Sequence, residues 1–144
     1  DDEILEEYFM IANQHVHVLD EFNNFMEEEI YQMMVATTED QDELILKNTT
    51  TLKVARWWNR ACDIIPCNGG KDIGIQKILN YFNFNKEEAM AFGDGGNDIS
   101  MLKYVGTGVA MGNAKDNVKA IADYITDSVQ EDGIVSALKH FEII

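Results

Sequence analysis

Proline and cysteine are nearly absent from this 144-residue chain, which has one proline, Pro66, and two cysteines, Cys62 and Cys67. Five positions apart, the two thiols match neither a C-x-x-C redox pair nor half of a four-ligand zinc site, and they read as incidental thiols of a reducing compartment. The three histidines, His15, His17 and His140, show no H-E-x-x-H or other ligand spacing, although His15 and His17 would share a strand face. No apolar run reaches 18 residues and no basic end leads into an apolar middle, so the sequence offers no spanning helix and the default compartment is the cytoplasm. Basic residues are scarce as well: 11 Lys and Arg stand against 26 Asp and Glu, for a formal net charge of −15. The excess is uneven, with net −11 over residues 1–67 and −4 over residues 68–144. Such a surface repels nucleic acid and anionic membrane, since both need a basic footprint.

What remains is an ordinary globular composition, 46% apolar and 26% charged, long enough for one domain or two small ones. Ile4, Leu5, Tyr8, Phe9 and Ala12 mark an amphipathic helix, 15–19 alternates weakly as a strand, and Phe22, Phe25, Met26 and Ile30 mark a further helix. Residues 31–36 read as a strand. Thr38 is placed to cap a helix whose first turn carries Glu39, Asp40, Asp42 and Glu43. After a turn at 48–50, strands are expected over 52–58 and 62–65. Pro66 and Asn68-Gly69-Gly70 form the strongest linker signal in the chain. Beyond them Ile75, Ile78, Leu79 and Phe82 give a helical stripe. Strands at 89–92, 108–111 and 124–125 then alternate with helices around Ile99–Val105, Val118–Ala122 and Ile134–Phe141. This alternation predicts an α/β fold with a parallel sheet of Rossmann type.

The chemistry concentrates in Gly93-Asp94-Gly95-Gly96-Asn97-Asp98. Two carboxylates and an amide sit on a glycine-rich turn between a strand and a helix, which is where open α/β sheets bind ligands. Hard oxygen donors of this kind suit Mg²⁺, which usually meets one or two carboxylates together with phosphate and water. The segment is not an EF-hand loop, and G-x-G-x-x-G fails at its last position. Clustering two Asp at a strand end is electrostatically costly without a cation. Lys71 opens a helix whose positive end disfavours a cation, which makes sense if an anion lies nearby.

Five blocks in order, Lys71-Asp72-Ile73-Gly74-Ile75, Gly93–Asp98, Gly108–Ala114, Ala122–Thr126 and Glu131–Ile134, resemble the haloacid dehalogenase (HAD) superfamily and, more narrowly, the Cof-type sugar-phosphate phosphatases. Residues 31–34 and 54–57 look like the latter part of that family's α/β cap. The resemblance implies a HAD-type Rossmannoid core at 67–144 (its C-terminal half) and a partial cap at 1–66. It implies hydrolysis of a small phosphorylated metabolite through an aspartyl-phosphate, with Mg²⁺ neutralising charge on the phosphoryl group. Asp94 would bind Mg²⁺ directly, and Asp98 would support the metal shell through water and pair with Lys71. Lys71 would steady nucleophile and phosphate, Asn97 would contact phosphate or a substrate oxygen, and Gly112-Asn113 and Asp132-Gly133 would shape the rim. Arg56, Trp57 and Trp58 would either face the substrate or pack within the cap.

One element of the family pattern is missing. The nucleophile is expected in a D-x-D-x-T/V motif after the first core strand. The only D-x-D here, Asp40-Gln41-Asp42, is followed at the second position by Leu44 and has no apolar strand running into it. With Asp1 rather than Met at its start, the chain is expected to be the C-terminal portion of a longer enzyme, needing its N-terminal part as a partner. A phosphomutase of the same superfamily and a non-catalytic Mg²⁺/phosphate-binding fragment are the alternative readings.

Overall fold

Two three-stranded sheets of opposite character organise the chain, and they fall into separate units, Asp1–Cys67 and Asn68–Ile144. The computed structural model describes residues 29–144 together with Glu3, Glu6, Glu7 and Met10, which are helical. The strand expected over 15–19, its two histidines and the helix expected around Phe22, Phe25 and Met26 lie outside the described residues. Among the described residues no helix is long and apolar enough to cross a membrane.

In the first unit, strands β1 (Met33–Ala36), β2 (Leu52–Trp58) and β3 (Ala61–Pro66) pair antiparallel in the order β1-β3-β2. The register sets Val54 and Met33 opposite Ile64 and sets Arg56 and Val35 opposite Cys62, so these six residues share a face. Cys62 and Ile64 are buried on that face. Pro66, expected in the linker, is instead the last residue of β3 and pairs with Leu52. A strand end tolerates proline because little ladder remains for it to interrupt. Thr38 precedes a 3-10 turn (Glu39–Gln41) and helix α1 (Asp42–Leu46), but its side chain makes no capping bond. The neighbouring Thr37 hydroxyl donates to Gln41 Oε1 at 2.6 Å. Arg56 donates to the Thr37 carbonyl at 2.8 Å and pairs with Asp42, so both groups are spent inside this unit.

In the second unit α2 (Lys71–Phe82) leads to β4 (Met90–Gly93), α3 (Ile99–Tyr104), β5 (Thr107–Ala110), α4 (Asp116–Lys119), β6 (Tyr124–Ile125) and α5 (Gly133–His140). The three strands are parallel in the order β4-β5-β6, as the alternation of strands and helices predicts. Ala91 and Ala110 of the sheet meet Leu102, Val105, Ala114 and Val118 in one apolar core. The β5–β6 pairing is locked at its start, where Asp123 Oδ2 accepts from the Gly108 amide at 2.7 Å. Helix α4 is only four residues long. Its chain tightens into i→i+3 bonds such as Ile121 N–H to Val118 O, so Ile121 and Ala122, expected in this helix, fall outside it. The stripe on α2 divides: Ile75 packs against the core, whereas Ile78 and Phe82 are 60% and 61% exposed.

Two glycines separate close packing from mere composition. A Cβ on Gly108 would lie 2.3 Å from the Leu102 carbonyl oxygen, a backbone atom that cannot swing away, whereas one on Gly74 would meet nothing within 4 Å. Gly108→Ala should therefore destabilise the unit by about 1–3 kcal/mol, the usual cost of overpacking. Gly74→Ala, on an open helical surface, should stabilise it by roughly 0.5–1 kcal/mol. Urea denaturation of the two variants against the parent checks both signs.

Candidate active site

The backbone leaves β4 at Gly93 and turns straight into a 3-10 segment, Gly96–Asp98, ahead of α3. Gly93 is required there by close approach, because a Cβ would fall 2.6 Å from Cβ of Asp98. The bare glycine lets the Asp98 side chain fold back against the strand end. Its Oδ2 accepts the amides of Asp94 and Gly95, each at 3.0 Å. Its Oδ1 is paired with the Lys71 ammonium, brought in by the first turn of α2. Helix α2 is anchored there a second time, since the Ser100 hydroxyl on α3 donates to Asp72 Oδ1 at 3.2 Å. Gly70 just before the helix has φ 124°, a conformation that suits glycine.

Asp98 is thus saturated and buried, its side chain 7% exposed, while Lys71 remains 49% exposed. Burial alone would push the Asp98 carboxyl up. The hydrogen bond from Lys71, the amides of Gly95 and Asp94, and the Lys71 charge together outweigh it and hold the group below its ordinary value of 3.8.

Asp94 has the opposite environment. It is exposed, and among the described residues its one side-chain bond is from Asn113 Nδ2 to Oδ2 at 2.9 Å, with no hydrogen bond to Oδ1. Lys71, Asp94 and Asp98 line one open hollow of about 490 Å³, with Phe92, Met101 and Ile134 on its apolar side. Asn97 lies half-buried in the same turn, and its side chain makes no hydrogen bond among the described residues. The four residues singled out by sequence therefore come together on one turn and one helix end. No group of three or more His, Cys, Asp or Glu able to hold a metal exists among the described residues. The donor set fits Mg²⁺ only in the manner that leaves most positions to phosphate and water, with Asp94 offering the free oxygen. Sequence reasoning placed Asn113 only on the rim. Its bond to Asp94 spans 19 residues and has no local signal.

Elsewhere, His140 stacks on Tyr124 with ring centroids 4.2 Å apart. Cys62 and Cys67 are free, and burial, the largest influence, raises the Cys62 thiol. Of the D-x-D pair, Asp42 is held by Arg56, and β1 ends at Ala36, short of the motif.

Because Asp98 has a depressed folded-state value, its stabilisation is fully present above the ordinary carboxylate range and is lost as pH falls through the depressed value. Asp98→Asn should cost about 2 kcal/mol at pH 7 in metal-free buffer. It should also flatten the fall in stability that the parent shows on acidification below about pH 4. Chemical denaturation across that pH range reads both effects, and a variant with the parent's pH slope would contradict them.

The model of the haloacid dehalogenase-like hydrolases matches residues 2–138. Among solved structures, the HAD subclass IIB sugar phosphatase BT4131 superposes with a TM-score of 0.86 at 38% identity, covering 100% of this chain and 55% of its own. The phosphatase BT1666 from Bacteroides thetaiotaomicron gives 0.86 at 35% identity, covering 98% and 53%. The 5-amino-6-(5-phospho-D-ribitylamino)uracil phosphatase YcsE of Bacillus subtilis (strain 168) is 49% identical over 71 residues, 49% of this chain and 28% of that protein. The chain spans about half the length of the two solved relatives. With its five sequence blocks, parallel sheet and acidic turn all on that pattern, the chain belongs to the haloacid dehalogenase-like hydrolases.

Proposed function

We propose that this chain is the greater part of the metal- and phosphate-handling apparatus of a Mg²⁺-dependent phosphatase acting on small phosphorylated metabolites such as sugar phosphates. The observation that carries the reading is the turn at the end of β4. One acid there is spent on holding a lysine, and a second presents a free oxygen beside it. The phosphatase names of the relatives support it. On this reading residues 1–66 belong to a cap and 67–144 to the C-terminal half of the core.

Asp94 would hold Mg²⁺, with Asp98 behind it, and the bound ion would neutralise charge on the transferring phosphoryl group. Lys71, fixed by Asp98 yet half open to solvent, places an ammonium where an anionic substrate oxygen enters the hollow. Asn97 offers an uncommitted amide to the same anion. The apolar side of the hollow lowers the local dielectric and strengthens these interactions.

The nucleophilic Asp comes, in this proposal, from polypeptide outside these residues. Ala89 O and Gly93 O accept amides that follow or open β5, so alternation turns the backbone groups of Met90 and Phe92 to the far side of β4. No strand among the described residues pairs with that edge. A strand ending in the nucleophile would satisfy those groups and bring its carboxylate to the same end of the sheet as Asp94.

In the complete protein, Asp94→Asn should lower Mg²⁺-dependent turnover of p-nitrophenyl phosphate by more than about 100-fold, about 2.7 kcal/mol of barrier, with the fold intact. Lys71→Ala should depress kcat strongly and Lys71→Arg should restore only part of it, because a planar guanidinium does not occupy a point-charge site. Steady-state kinetics decide, and an Asp94→Asn enzyme within about tenfold of the parent would defeat the assignment. Residues 1–144 expressed alone should leave p-nitrophenyl phosphate untouched, with turnover restored on adding the polypeptide that carries the nucleophile strand. Turnover by residues 1–144 alone would return Asp40 to consideration.

A further inference from the structure

We infer that Asn113 is a positioning residue that selects which oxygen of Asp94 faces a divalent cation, an inference that rests on the metal-binding reading above. Asp94 is an exposed carboxylate on a turn, free to rotate unless something restrains it. Asn113 supplies the restraint, with Nδ2 donating to Oδ2 at 2.9 Å. The orientation of the Asn113 amide is itself determined, because its Oδ1 accepts the Val129 amide at 3.1 Å. A flipped amide would set oxygen against carboxylate and NH₂ against N–H, losing both bonds at once.

The segment carrying Val129 is fastened independently. The Gly112 amide donates to Asp127 O at 2.9 Å, and the buried Thr126 hydroxyl donates to Gly133 O at 2.6 Å. A Cβ at Gly112 would stand 2.6 Å from the Ser128 nitrogen, so the two loops touch backbone to backbone. Asn113 therefore transmits the position of the 126–133 loop to Asp94 Oδ2 and leaves Oδ1 as the open donor. A neutral donor suits the task. A lysine or arginine in its place would compete with the cation for the Asp94 charge, whereas an amide restrains the carboxylate and leaves the charge available. Groups that orient a ligand in this way change metal affinity by about 10–100-fold when removed.

The test uses Mn²⁺ as the probe, titrated into the complete protein and followed by electron paramagnetic resonance of the free ion. Asn113→Ala should raise the Mn²⁺ Kd about tenfold or more, with the metal-free protein still folded and melting cooperatively. The metal concentration for half-maximal activity should rise in parallel, while kcat at saturating metal recovers, a split that general loosening of the fold would not produce. Should Asn113→Ala unfold, Val129→Pro reads the same coupling, since it deletes the amide that holds Asn113 Oδ1, with Val129→Ala as the control for the side chain that lines the hollow. Val129 opens a 3-10 turn, and Ser128 before it has φ −68° and ψ 166°, a conformation compatible with a following proline. Val129→Pro should weaken Mn²⁺ binding in the same direction and to a smaller extent. Parent-like Mn²⁺ affinity in the folded variants would overturn the role of Asn113 alone. A parent that fails to bind Mn²⁺, or an Asp94→Asn protein that binds it equally well, would remove the metal reading itself and the inference with it.

Discussion

The carboxylate of Asp98 is the point on which the second unit's functional end depends. Taking a carboxylate out of water costs several kcal/mol even after relaxation. Three donors offset that cost: the Lys71 ammonium and the amides of Asp94 and Gly95. The donors come from two separate parts of the chain. The amides fix the turn after β4, and the ammonium fixes the first turn of α2. Because Lys71 is half exposed, solvent screens its side of the pair, and the two amides tie the acid to the backbone of its own turn. The arrangement also requires a missing atom, the Cβ of Gly93, whose place Asp98 occupies.

Asp94 and Asp98 show how the same residue type acquires two roles four positions apart. Asp98 is buried and has no oxygen to spare, so it acts on its surroundings by holding them. Asp94 is exposed and half-satisfied, so it is available to something not part of the chain. The division follows from their places: Asp94 stands between β4 and the 3-10 turn, on Asn113, whereas Asp98 closes that turn and folds back against Gly93. Lys71 falls between these cases, engaged by Asp98 yet open on its other side.

Much of this was legible in the sequence, for identifiable reasons. The glycines around Asp94 signalled a turn because close backbone approach demands them, and the strands at 52–58 and 124–125 fall where alternation and short apolar runs put them. Signals that describe a residue's capability without its competitor misled. Thr38 has the chemistry of a cap, but the Gln41 amide within its reach bonds to the Thr38 carbonyl at 3.1 Å instead of to its hydroxyl. Pro66 punctuates the chain one residue late, since β3 runs through it and the Cys67 amide still reaches Thr51 O at 2.7 Å. The stripe on α2 announces an apolar face without saying what covers it, and Ile78 and Phe82 remain exposed. The Asn113–Asp94 bond joins residues on successive strand ends, so no local pattern encodes it.

The order of strands in the parallel sheet keeps each pairing local along the chain. Met90 pairs with Thr107 and Val109 with Tyr124, so the partners stand only seventeen and fifteen residues apart along the chain. Each strand joins the one before it in the chain, and the loop to be closed at each pairing is short. Among the described residues nothing pairs with the outer edge of β4. A short, apolar strand with such an edge offers its backbone groups to any other chain that brings an edge of its own. Capture of such an edge by a neighbouring molecule lowers the yield of folded protein, and it sharpens as concentration rises.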